Sequence, residues 1–173
     1  VLITFWIYGH GLHYAFVSID DSNLIYLNPA IQHFSLSHLK TIFTTYDPEL
    51  YIPVTLLTFQ TDFLIAGPRA PWYHFHSLVL HTFNALLVAW LTLLLSRKQW
   101  IGIFCGLLFL LHPVHTEAVA WSSARKDVLS TFHFLISLIA FLSYLENRKY
   151  WQYALSLVTF LIGLLAKVTI LTL

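Results

Sequence analysis

Charge is scarce in this chain. Lys, Arg, Asp and Glu make up 10% of its 173 residues, against about 25% in an ordinary soluble domain, too little to cover a water-facing surface. Methionine is absent, and a net charge of +1 leaves no basic stripe for a nucleic-acid partner. Cys105 is the single cysteine, so no disulfide forms within the chain, and its apolar setting reads as that of a small buried side chain. What fills the space is apolar: 58% of residues are hydrophobic and 17% aromatic, with a mean hydropathy of +0.71. This is the composition of an all-α integral membrane protein. The chain opens at Val1 inside one apolar segment and closes at Leu173 inside another. It is expected to be an internal fragment, with no signal peptide assigned.

The scarce charge is concentrated. Between His112 and Asp127, six ionisable side chains (His112, His115, Glu117, Arg125, Lys126 and Asp127) fall within sixteen residues of a strongly apolar region. An ionised side chain at a bilayer centre costs roughly 2.5–3.5 kcal/mol on insertion scales, so the cluster belongs at a membrane face or in a wet cavity. Either place makes it a candidate site.

Taken in order, residues 1–17 are apolar and aromatic and read as the outer part of a first helix. Ile19-Asp20-Asp21-Ser22-Asn23 brings the chain into water, and Asn28-Pro29 marks a turn or a helix start. Leu36, Leu39, Ile42 and Phe43 recur at helical spacing, which predicts a short surface-lying helix over 35–45. Tyr46-Asp47-Pro48-Glu49 reads as a turn. Residues 56–66, too short to span and carrying Asp62, predict a second interfacial or re-entrant helix. Residues 72–96 form the first clear span, with His74, His81 and Asn84 near one inward-facing side. Residues 100–115, 126–145 and 150–173 supply three more. That makes five crossings with 18–71 as an outer loop. Asp20, Asp21, the cluster and Lys167 then share one face, and the turns at Arg97-Lys98 and Arg148-Lys149 share the other. Lysines and arginines lie on both faces, so the positive-inside rule orients the chain only weakly.

Two chemistries fit carboxylates, histidines and cations at one membrane face. In group transfer from a lipid phosphate, a carboxylate accepts the proton of an attacking hydroxyl while cations or a metal ion stabilise the departing phosphate. In ion or proton movement, chains of Asp, Glu and His are the usual parts. Plainer readings stand beside both. Asp20-Asp21 suits a solvated turn, His112-Pro113 a helix end, and Glu117 with Arg125 a structural ion pair on a continuing helix. Lys167 suits a cation snorkelling to the interface, and Asp62, His74 and His76 suit structural roles. The spacing of His112, His115 and Glu117 is not a strong zinc pattern, and the requirement for a divalent cation stays open.

Several segments together resemble one family, the multi-spanning GT-C-fold membrane glycosyltransferases with C-terminal tetratricopeptide repeats, whose animal members are transmembrane O-mannosyltransferases acting on cadherins. The matching pieces are Phe16-Val17-Ser18-Ile19-Asp20-Asp21, Tyr51-Ile52-Pro53-Val54-Thr55, Leu80-His81-Thr82-Phe83-Asn84, His112-Pro113-Val114-His115-Thr116-Glu117, and Leu165-Ala166-Lys167. Arg125-Lys126-Asp127-Val128-Leu129-Ser130 is similar to the bacterial branch. The resemblance implies a GT-C-like bundle with two interfacial helices in its first outer loop. It also implies a polyprenyl or dolichyl phosphate hexose donor, a protein hydroxyl acceptor, inversion at the sugar, and a site on the extracytoplasmic face. The setting would be a bacterial inner membrane, or the endoplasmic reticulum in a eukaryote. Asp20, Asp21 and Glu117 take the catalytic positions, with one of the two aspartates as the base. Arg125, Lys126 and Lys167 take the donor phosphate, and His112, His115 and Asp127 line the pocket. The chain departs from its relatives at Val168, Ile52 and Ala124. A proton-coupled or lipid-handling transporter and an inactive anchor for repeats are the alternatives.

Overall fold

The computed structural model describes residues 2–45 and 51–172, all helix, turn and coil with no strand among them. The turn expected at Tyr46-Asp47-Pro48-Glu49 lies outside the described residues. The helices in chain order are α1 (Leu2–Tyr8), α2 (Pro29–Gln32), α3 (Leu36–Thr44), α4 (Pro53–Ala66), α5 (Ala70–Ser96), α6 (Gln99–Leu111), α7 (Thr116–Ala120), α8 (Arg125–Asn147) and α9 (Tyr150–Ala166). The helix expected over 1–17 ends early. Beyond Tyr8 the chain tightens into a 3-10 turn, Gly9–His13, where two glycines weaken helix propensity, and it is extended at Tyr14.

Local chemistry sets most boundaries. Asn28 caps α2 by accepting the Ala30 N–H at 3.0 Å, with Pro29 in the first turn, and Ser35 caps α3 from the His38 N–H. Gly67 closes α4 at a φ of 64°, conformational space that side chains avoid. The turns after α5 and α8 put an arginine in that same left-handed region, Arg97 at φ 58° and Arg148 at φ 55°. Their sequences, Arg97-Lys98-Gln99-Trp100 and Arg148-Lys149-Tyr150-Trp151, repeat one design.

Among the described residues two helices are long and apolar enough to cross a membrane: Ala70–Ser96, and α8 with its preceding turn, Ser122–Asn147. Gln99–Leu111 and Pro113–Ala120 qualify as a third if that pair, bent by 49°, is one span. The bend falls at His112-Pro113, where proline removes a backbone donor. The apolar helix α9, Tyr150–Ala166, is shorter. The α5–α6 contact is close because α6 presents Gly102 and Gly106, where an added Cβ would fall 2.7 Å from the Ala89 carbonyl oxygen and 2.7 Å from the Ala89 Cβ. Small residues four apart on facing helices allow this approach. His74, His81 and Asn84 are all buried on α5, as their shared side predicts, and Asn84 Nδ2 donates to the Val128 carbonyl at 2.8 Å.

The segment between α1 and α5 is a packed cap. Leu24, Ile25, Ile31, Ile52, Phe59 and Tyr73 form its core. Within it, α4 buries one part of its surface: Phe59, Gln60 and Asp62 are covered, while Leu64 and Ile65 are exposed. Gln60 donates to the carbonyls of Ala30 and His33, closing the end of α2, and Thr55 donates to the Ala166 carbonyl at the end of α9.

Candidate functional site

The two adjacent aspartates have opposite environments. Asp21 is fully buried, and both its oxygens are engaged: Oδ1 accepts from the Ser123 N–H at 2.9 Å and from the Ser123 hydroxyl, and Oδ2 accepts the Val17 N–H at 2.9 Å. It thereby ties the outer loop to the turn that begins the Ser122–Asn147 helix, an end whose free N–H groups favour an anion. Asp20, on the same turn, keeps its side chain 40% exposed and meets Lys126 at 3.9 Å. The Lys126 ammonium also lies 5.6 Å over the Trp121 ring. Of the pair, Asp20 is the carboxylate open to solvent.

Lys126 and Asp127 open the first full turn of α8 and point to different neighbours. Asp127 pairs with Lys167, which follows α9. This pair stands beside a groove of about 300 Å³ lined by Asp127 and Thr131 together with the apolar Val88, Phe109, Phe134 and Ile170. Two ion pairs, Asp20 with Lys126 and Asp127 with Lys167, therefore flank one helix start.

Arg125 goes elsewhere. It is wholly buried, paired with Asp62 and sandwiched by Phe59 and Tyr73, whose ring centres lie 4.7 and 5.4 Å from its guanidinium carbon. Its remaining donors reach the Tyr73 carbonyl at 2.9 Å and the hydroxyls of Ser77 and Thr58. With every nitrogen occupied, the guanidinium offers no free edge to a phosphate. Asp62 also accepts from the Trp72 indole and from His76. The continuing helix that would let Glu117 pair with Arg125 is not formed. Trp121 is extended, with φ −104° and ψ 119°, so Glu117 and Arg125 do not share a face.

The histidines form a separate group. His115 stacks 4.2 Å from Phe109 and 5.4 Å from His81, whose Nε2 faces the Leu110 carbonyl at 3.3 Å. Tyr8 donates to that same carbonyl at 3.1 Å, answering a group freed by the Pro113 break. His112 accepts the Val114 N–H, and Glu117 is exposed on α7 without an ion pair among the described residues. Among the described residues no group of three or more His, Cys, Asp and Glu is placed to hold a metal ion. A smaller cleft of about 90 Å³ lies between the Gly9–His13 turn, α5 and α7, with Tyr8, Tyr14, His74 and Thr116 in its wall.

Sequence reasoning did not find Ser123, whose side chain and backbone hold Asp21, nor the Tyr73 carbonyl that holds Arg125. Asp62 did carry a signal: a carboxylate in an apolar helix demands a cation partner.

No family model matches the chain, and no solved structure matches it. Curated sequences do. The chain is 31% identical over 127 residues to a Drosophila melanogaster protein named protein O-mannosyl-transferase Tmtc2, covering 69% of this chain and 14% of that one. It is 35% identical over 102 residues to human protein O-mannosyl-transferase TMTC2, covering 58% and 12%, and 33% identical over 99 residues to human protein O-mannosyl-transferase TMTC3, covering 57% and 10%. The chain thus spans only about a seventh or less of these relatives. Within that stretch the likeness supports kinship with a TMTC-like family.

Proposed function

We propose that this chain is the amino-terminal part of the membrane domain of a protein O-mannosyltransferase of the GT-C type, from the bacterial branch of that family, with tetratricopeptide repeats following it. In this reading α1 is the outer end of a first crossing, four more crossings lie at 72–96, 100–115, 126–145 and 150–173, and the cap lies on the extracytoplasmic face. The enzyme moves a mannose-like hexose from a polyprenyl or dolichyl phosphate to a serine or threonine hydroxyl of an acceptor protein.

One observation carries the proposal. A half-exposed carboxylate, Asp20, stands beside the same helix turn as a cation, Lys167, placed next to an apolar groove. The acceptor hydroxyl gives its proton to Asp20 as its oxygen forms a bond to the sugar's anomeric carbon. The bond from that carbon to the phosphate oxygen breaks, and the phosphate leaves with the electron pair. Attack opposite the leaving group inverts the centre in one step, so no covalent sugar–enzyme intermediate is needed. Lys126 and Lys167 balance the charge left on the phosphate, the apolar groove takes the first isoprene units, and Asp127 orients Lys167. Asp21 positions Asp20 by fixing its turn. Arg125 fixes the start of α8 from inside. Glu117, His112 and His115 face the acceptor side.

The test uses the full-length protein in membranes supplied with radiolabelled polyprenyl phosphate mannose. Asp20→Asn is expected to lower transfer by about 10²–10⁴-fold, the usual contribution of a positioned base, while donor binding persists. Lys167→Gln is expected to weaken donor binding instead. No transfer by wild type from either carrier with several hexoses would remove the proposal and favour transport or anchoring.

A further inference from the structure

At the end of the bundle away from the cap, α5 and α9 flank one face of α8 and leave a groove of about 290 Å³. Ile139, Ala140 and Ser143 of α8 form its floor. Trp90 from α5 and Trp151 from α9 form its walls, and both indoles are exposed, at 52% and 61%. One polar group intrudes. Gln152 lines the groove, is only 8% exposed, and its Oε1 has no hydrogen-bond partner. A buried amide without partners is costly, so a site that keeps one is suited to a ligand that supplies them.

The rim is cationic. Gln152 lies three residues beyond Lys149 and donates its backbone N–H to that residue's carbonyl. It is therefore about 5 Å along the helix from the basic turn. Arg97, Lys98, Arg148 and Lys149 gather at this end, with Glu146 as its only acidic residue among the described residues and Arg97 as that residue's ion-pair partner. Among the described residues, Lys98, Arg148 and Lys149 have no ion pair. An alkyl slot between two tryptophans, an unpaired amide oxygen one helical turn from the rim, and uncompensated cations beside it match the parts of one molecule. They match an acyl chain, a headgroup hydroxyl that donates to the amide oxygen, and a phosphate.

We propose that this groove is a binding site for an anionic glycerophospholipid of the leaflet that meets the basic turns. The acyl chain lies on Ala140 between Trp90 and Trp151, a hydroxyl of the headgroup donates to Gln152 Oε1, and Arg148 and Lys149 hold the phosphate. The site is independent of the transfer chemistry at the other end.

Native mass spectrometry of the full-length protein, titrated in detergent with dioleoyl phosphatidylglycerol and in parallel with dioleoyl phosphatidylcholine, tests it. Phosphatidylglycerol adducts are expected to exceed phosphatidylcholine adducts by about fivefold or more, the effect of one lysine or arginine near an anionic headgroup. Ala140→Phe fills the floor and should remove most of the phosphatidylglycerol adduct. Gln152→Leu keeps the side chain's size. It should lower that adduct by about fivefold, the equivalent of one hydrogen bond, and raise the lipid-free melting temperature. A purely structural Gln152 would move neither the adduct nor its lipid preference. Equal retention of the two lipids, adducts unchanged in Gln152→Leu, or a dimer or another part of the chain occupying the groove in place of lipid would each overturn the proposal. Should Ala140→Phe fail to fold, Gln152→Leu decides.

Discussion

The two ends of this bundle handle charge in opposite ways. Beneath the cap, charges are folded inward: Asp21 is enclosed by Ser123 and Val17, and Arg125 by Asp62, Phe59 and Tyr73. At the far end the arginines and lysines stay in two short exposed turns, and the one ion pair there, Arg97 with Glu146, has partners 68% and 47% exposed. A charge buried with all its bonds made fixes geometry, because no alternative arrangement satisfies it. A charge left in an exposed turn fixes little structure and remains available to solvent and headgroups. The cap end is therefore built to hold atoms in place, and the turn end to meet a variable surface.

The largest test of that contrast is to open the buried pair from one side. Arg125→Met should cost about 3–5 kcal/mol of stability, because Asp62 is left charged without its cation. Pairing it with Asp62→Leu should return most of that loss, as seen in thermal melts of the full-length protein in detergent. An equally large loss in the double variant would mean that the pair does more than cancel its own burial. Next in size is the close α5–α6 contact. Gly106→Leu would collide with Ala89, and overpacking of this kind costs roughly 1–3 kcal/mol. Splitting the aspartates sharpens the comparison at the site itself. Asp21→Asn weakens charge-assisted bonds worth about 1.5–3 kcal/mol, so it should lower the melting temperature and activity together. Asp20→Asn should lower transfer by about 10²–10⁴-fold while leaving the melt near wild type, its contact with Lys126 being long and partly exposed. The smallest effect is expected at the far end. Arg97→Gly relieves a left-handed arginine and should be neutral or stabilising by up to about 1 kcal/mol, unless the Glu146 pair outweighs that relief. A loss as large as that of Arg125→Met would erase the distinction between the ends.

What the sequence made legible was local. The inward side of α5 followed from the spacing of His74, His81 and Asn84, and the short helix over 35–45 from Leu36, Leu39, Ile42 and Phe43. The starts of α2 and α5 lie beside Asn28-Pro29 and Pro71, where proline suits a first turn. What stayed hidden was long-range or conformational. An i, i+4, i+8 count suggests that Glu117 meets Arg125, but the extended Trp121 breaks the count, and Arg125 finds its partner on α4. The reading of α4 as an interfacial or re-entrant helix did not extend to the burial of Phe59, Gln60 and Asp62, since its apolar residues run all round and mark no single face to bury. Composition alone gave no means of telling Asp20 from Asp21. Ser123, 102 residues further on, holds one of them and not the other.

That separation bears on the order in which the molecule is made. Asp21 and Asp62 leave the ribosome well before Ser123 and Arg125, the groups that neutralise or bond them. During that interval Asp21 lacks two of its three donors and Asp62 lacks its arginine, so both carboxylates favour water over burial. A nascent chain halted at Leu111 is therefore expected to keep this segment hydrated, and the start of α8 supplies the groups that seal it. Closure of the cap thus waits on the synthesis of the helices between.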